Sequence, residues 1–132
     1  MDIGAYLDHV ERDLSTQAGV TEVDPARVTR EQGNRAILRF RISFLDGSFL
    51  DFHERVDTEQ SFPDRWRYSY QYMKEGAQVF RYDNSPHHPR VATHPHHKHE
   101  GPKGQDRILP SQLPSRNRLF REILNLLRPP EK

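Results

Sequence analysis

Six of the chain's eight histidines fall in one stretch, RYDNSPHHPRVATHPHHKHEG, running from Arg81 to Gly101. They stand in two blocks. PHHP carries His87 and His88, and HPHHKH carries His94, His96, His97 and His99. Imidazole is the side chain whose unperturbed pKa, about 6.5, lets it give and take protons at neutral pH. Cleaving RNA through its own 2′-hydroxyl needs a base for that hydroxyl and an acid for the leaving oxygen. It also needs cations around the charge that develops on phosphorus. His87 or His88, with one of His96, His97 and His99, would supply base and acid. Arg81 and Lys98 would supply the cations, and no metal is required. Asp83 and Asn84, just ahead of the first block, could hold a histidine tautomer by hydrogen bonding.

A divalent metal is the rival chemistry. Neutral imidazole is a common ligand for zinc, nickel and copper. A site could close from His87 or His88 with two of His94, His96, His97 and His99. The interspersed prolines exclude a helical metal motif here. The remaining possibility is a polar loop whose histidines bond to backbone groups or stack on aromatic rings.

These residues need a scaffold. The chain has 132 residues, 33% hydrophobic and 30% charged, which suits one domain over residues 1–132 with a lean core. Seven Phe, five Tyr and one Trp supply much of the apolar area. Basic and acidic residues nearly balance, 20 against 19, so affinity for a polyanion must come from local clustering. The absence of cysteine excludes disulfides and thiolate metal sites. No apolar run approaches the roughly 20 residues of a membrane span, and the acidic, amphipathic start is unlike a secretory signal. A soluble cytoplasmic protein is expected.

The periodicity predicts an α+β fold. Asp2 can cap a first helix whose apolar stripe is Ile3, Tyr6, Leu7, Val10 and Leu14. Val20 to Val28 can form a strand that Pro25 confines to an edge. AILRFRISFLDGSFLDFHERV alternates apolar and polar residues on both sides of Asp46-Gly47, a favoured hairpin turn. A second hairpin turns at Lys74-Glu75-Gly76, between Trp66–Tyr72 and Val79–Asp83. The expected architecture is thus an antiparallel sheet of about four to six strands built on two consecutive hairpins. N- and C-terminal helices would pack on it. Ser115 can cap the last helix, and Pro129-Pro130 would stop it. Residues 84–114 hold most of the prolines and show no periodicity, so they read as a long His/Pro-rich loop.

Alternation also sorts the charges. If Leu38, Phe40, Ile42, Phe52, Trp66, Tyr68, Tyr70, Phe80 and Tyr82 face the core, their neighbours face away. Those neighbours are Arg39, Arg41, His53, Arg55, Arg65, Arg67 and Arg81, with few acids among them. Arg39, Arg41, Arg55, Arg65 and Arg67 would then make an RNA-binding face, because the planar guanidinium fork suits phosphate oxygens. The same face could serve a non-catalytic RNA- or ribosome-binding module.

RYDNSPHH followed closely by HPHHKHEG resembles the TumE family of toxins from type II toxin–antitoxin pairs. The Tyr-rich hairpin YSYQYMKEGAQVFRYDN is similar as well, and the likeness runs from the first helix to the last. The matching residues are Arg81, Tyr82, Asp83, Asn84, His87, His88, Pro95, His96, His97, Lys98 and His99. Ser85 and His94 depart from the pattern, which sets His94 apart from the other histidines. The resemblance implies a small toxin neutralised by a helix-turn-helix antitoxin. By analogy with toxins of this size, it implies an endoribonuclease.

Overall fold

The structure is a computed structural model that describes residues 2–60 and 62–127, apart from the side chains of Ala26 and Arg27. Helix α1 (Ile3–Ser15) leads into strands β1 (Val20–Arg30), β2 (Arg35–Phe44), β3 (Phe49–Asp57), β4 (Asp64–Lys74) and β5 (Ala77–Asp83). Strands β6 (His97–Glu100) and β7 (Arg107–Pro110) follow, then helix α2 (Arg116–Leu126). Each strand pairs antiparallel with the next, in the order β1-β2-β3-β4-β5-β6-β7. This seven-stranded meander is larger than the four to six strands expected, because β6 and β7 lie inside the segment that reads as loop.

The local signals behave as chemistry dictates. Asp2 Oδ1 accepts from the Ala5 amide at 2.8 Å, and Ser115 Oγ accepts from the Arg118 amide at 3.1 Å, so each helix starts on its expected cap. Glu75 and Gly76 both take positive φ, 52° and 79°, as a two-residue hairpin turn requires. β1 is an edge strand, and its register slips between Pro25 and Arg27, where the missing amide cannot bond. The Pro129-Pro130 stop lies outside the described residues.

Both helices cover the same sheet face. Tyr6, Val10 and Leu14 of α1 and Leu119, Phe120 and Ile123 of α2 are buried with Leu38, Phe40, Ile42, Phe44, Leu50, Phe52, Tyr70 and Tyr72. Phe120 meets Phe44 at 6.1 Å between ring centroids. Glu54 is fully buried under α1, because it shares the inward phase of β3 with Leu50, Phe52 and Val56. The Tyr6 hydroxyl donates to it at 2.9 Å, the Tyr70 hydroxyl donates to its other oxygen, and Arg65 lies 3.7 Å away. No helix among the described residues is long and apolar enough to cross a membrane.

One β-bulge corrects the expected faces. Arg55 pairs with Arg67 but Val56 pairs with Arg65, so Trp66 is the extra residue in β4. The slip reverses the inside–outside parity beyond it. Trp66 is 38% exposed instead of buried. Arg65 turns onto the helix side and donates to the Tyr70 hydroxyl at 3.1 Å and the Pro114 carbonyl at 3.2 Å. Arg65 therefore does not belong to the arginine face.

Candidate functional site

The open face of the sheet carries two transverse rows set by strand register. One runs Arg39, His53, Ser69, Asp83, His97. The other runs Arg41, Asp51, Gln71, Arg81, His99. Neighbouring strands lie roughly 4.8 Å apart, so Arg39 and His97 are about 19 Å apart along the row. The histidine end holds a compact cluster. A cavity of about 530 Å³ lies toward the other end, lined by Arg39, Arg41, Asp51, His53, Ser69 and Gln71.

β5 and β6 build the cluster. Asp83 is buried; its Oδ1 accepts from the Ser85 amide at 3.0 Å and its Oδ2 from Arg81 Nε at 2.8 Å. The same two oxygens stand 3.0 Å from His97 Nε2 and 3.3 Å from His99 Nε2. The two Nε2 atoms are 3.1 Å apart. His88, half-buried on the loop after β5, sets its ring edge-on to both, at centroid distances of 4.8 and 5.4 Å. The ligating nitrogens of His88, His97 and His99 all lie within 4.8 Å of one another.

Hydrogen-bond partners settle the tautomers. His97 Nδ1 faces the Pro95 carbonyl at 2.8 Å, and a carbonyl can only accept, so Nδ1 carries a proton. His99 Nδ1 faces the Asp106 carboxylate at 2.7 Å and likewise donates. Arg81 Nη2 donates to His99 Nε2 at 3.0 Å. Burial and the Arg81 charge lower the His99 pKa, against the pull of Asp106. With both Nδ1 protons turned outward, two Nε2 atoms and a carboxylate converge. The Arg81 guanidinium is the positive group against them, bonded to both Asp83 Oδ2 and His99 Nε2.

The remaining expected residues part company here. Lys98 alternates with His97 and His99 along β6, so its ammonium lies on the helix side, 2.6 Å from Glu122 and 2.9 Å from Glu100. Burial opposes its charge, but those hydrogen bonds outweigh it and raise its pKa. It cannot act beside the histidines. His96 stacks on Tyr68, with Nδ1 2.9 Å from that hydroxyl, and is not part of the cluster. His87 is exposed, as is His94. Asn84 holds no histidine: its side chain bonds the Tyr68 amide at 3.0 Å and the Trp66 carbonyl at 2.9 Å, tying the loop to the bulge. Asp106 is the site residue that sequence reasoning misses; no local pattern marks it, and only the β6–β7 hairpin brings it to His99.

Among the described residues, Arg39, Arg55 and Arg67 make no ion pair with a carboxylate, whereas Arg41 is held by Asp51 at 2.8 and 3.1 Å. Arg55 and Arg67 stand directly opposite each other in the ladder, an arrangement that costs stability. Arg55 also lies over the exposed Trp66 ring, 5.8 Å from its centroid. His53 is half-buried between cationic neighbours; burial, then Arg39 and Arg55, lower its pKa.

The family model described as Toxin TumE matches residues 8–129. The chain belongs to the TumE toxin family. It is therefore a toxin of a toxin–antitoxin pair, with an antitoxin as its partner. No curated protein and no solved structure matches it. In this TumE-family chain the matched span contains Val10 and Leu14 of the α1 stripe, the α2 stripe, the arginine rows and the whole histidine cluster, while Ile3 and Tyr6 precede it.

Proposed function

We propose that this toxin acts on RNA in the cytoplasm as a metal-independent endoribonuclease whose reaction centre is His88, His97 and His99 with Asp83 and Arg81. The observation that carries the reading is the cluster's position on the same open sheet face as Arg39, Arg55 and Arg67, which among the described residues have no carboxylate partner. An RNA backbone lying across that face meets Arg39, Arg55 and Arg67 first, and its chain then passes over Arg81 and His88. A helix-turn-helix antitoxin would neutralise the toxin by covering this face.

The geometry supports a division of the proton roles between two groups. Attack of the 2′-oxygen and departure of the 5′-oxygen occur on opposite sides of phosphorus. Two nitrogens 3.1 Å apart cannot straddle a phosphorus, so His97 and His99 act as one group. His88, the most accessible imidazole of the three, supplies the second group. One takes the proton of the 2′-hydroxyl and the other delivers a proton to the leaving oxygen. Arg81, tied to Asp83 and His99, would stabilise the charge that develops on the phosphorane oxygens. Asp106 and the Pro95 carbonyl hold the two buried rings in the productive tautomer.

The test is cleavage of single-stranded RNA by tag-free protein in EDTA. His88→Ala and His97→Ala should each lower the rate by about 10²–10⁴-fold. Full activity in the double variant would remove the histidine assignment, and loss of all activity in EDTA would remove the metal-free mechanism. The non-catalytic alternative predicts RNA bound without product, weakened by arginine substitution and indifferent to histidine substitution.

A further inference from the structure

The geometry points to a second occupant of the same cluster: we propose that His88, His97 and His99 form a binding site for a zinc-class transition metal ion, and that the metal-bound toxin is silent. The silencing rests on the proton-transfer reading above; the site itself does not.

His97 and His99 each donate Nδ1–H to a fixed acceptor, Pro95 O at 2.8 Å and Asp106 Oδ2 at 2.7 Å. That is the support metal-ligating histidines receive from carbonyls and carboxylates, which turns the Nε2 lone pair toward the ion. A tetrahedral ion with nitrogens about 2.0–2.1 Å away holds neighbouring ligand atoms about 3.3 Å apart. His97 Nε2 and His99 Nε2 are 3.1 Å apart, already near that spacing. The His88 nitrogen lies within 4.8 Å of the other two, so its half-buried ring must turn toward them to ligate. Asp83 adds negative charge, with an oxygen 3.0 Å from His97 Nε2 and another 3.3 Å from His99 Nε2. Three imidazoles select zinc, nickel or copper over magnesium or calcium, which take oxygen ligands.

Arg81 is the competitor. Its Nη2 now bonds the His99 lone pair at 3.0 Å, so an entering ion must displace that group. The Arg81 side chain is 26% exposed and can swing outward. Two mutually exclusive states follow. Without metal, Arg81 bonds the cluster and the imidazoles are free to exchange protons. With metal, all three lone pairs are committed and none can carry a proton, so proton transfer stops.

The experiment uses tag-free full-length protein, with zinc chloride as probe and magnesium chloride as control. Thermal denaturation should show Tm rising by at least about 5 °C in excess zinc and not in magnesium. The rise should vanish in His88→Ala and His99→Ala, persist in His94→Ala, and need at least about tenfold less zinc in Arg81→Gln, where a repelling charge is gone. Should His99→Ala not fold, His88→Ala on the loop decides the point. No zinc-dependent shift in the parent protein, an equal shift with magnesium, or a shift retained in both histidine variants would overturn the site. RNA cleavage should fall as zinc fills the site and recover in EDTA. Cleavage that is unaffected by saturating zinc, or that requires it, would overturn the silencing. A protein that binds zinc at these residues yet never cleaves RNA would keep the site, and refute both the silencing and the ribonuclease reading.

Discussion

Arg65 and Arg67, two residues apart on β4, should behave as opposites when each is changed to Met. Arg65 lies beneath the helices, its side chain 19% exposed, 3.7 Å from a Glu54 carboxylate that is 0% exposed. It also donates to Tyr70 at 3.1 Å and Pro114 at 3.2 Å. Removing one partner of a buried ion pair costs roughly 3–5 kcal/mol. The lower end applies here, about 3 kcal/mol, because the Tyr6 and Tyr70 hydroxyls still hold the carboxylate. In a chain of this size that lowers Tm by about 10 °C. Arg67 lies on the open face, with one long bond, 3.4 Å, to the Asn84 carbonyl. Its loss should change stability by about 0.5 kcal/mol or less. It should weaken RNA binding and lower the log–log salt slope by about 0.7, the share of one single-strand phosphate contact. Circular dichroism melts and fluorescence anisotropy over a salt series read both quantities. An Arg65→Met protein that keeps the parent Tm while losing RNA affinity as Arg67→Met does would refute this division of roles.

Three further outcomes follow from the same geometry. Lys98→Met should lower Tm by a few degrees, because Lys98 sits between Glu100 and Glu122, yet leave RNA cleavage in the folded protein within about threefold of the parent; a loss as large as that of His97→Ala would return Lys98 to the site. His53 is held neutral in the fold by burial and by Arg39 and Arg55, so the unfolded chain, titrating near about 6.5, binds the extra proton and stability falls as pH drops below that value. His53→Gln should therefore flatten the fall in Tm between pH 7.5 and about 5.5, and an unchanged slope would refute the assignment. Trp66, the chain's one tryptophan, is exposed beside Arg55, so single-stranded RNA should quench its fluorescence by stacking; saturable binding with no spectral change would exclude it as a platform.

Much of the fold was legible because its signals are local. The two hairpins, both caps, the edge position of β1 and the two helical stripes each depend on residues a few positions apart. Glu54 was legible in principle, since it shares the phase of Leu50, Phe52 and Val56, but its buried partners Tyr6 and Arg65 come from other elements. β6 was not legible. It is a four-residue strand behind Pro95 whose hydrogen bonds come from β5 and β7, so nothing in its own sequence marks it.

That strand decides the candidate site. Composition and spacing set which chemical groups were available, a dense histidine set and arginines alternating with aromatics, and carried the family likeness that the matched span bears out. Which of those groups meet depends on how the strands pair. Pleating puts His97 and His99 on one face and Lys98 on the other; a single bulge at Trp66 takes Arg65 away; the β6–β7 hairpin brings Asp106 to His99. Each of these is a question of strand parity or long-range pairing. A one-residue change in register reverses the answer without altering the composition of the stretch.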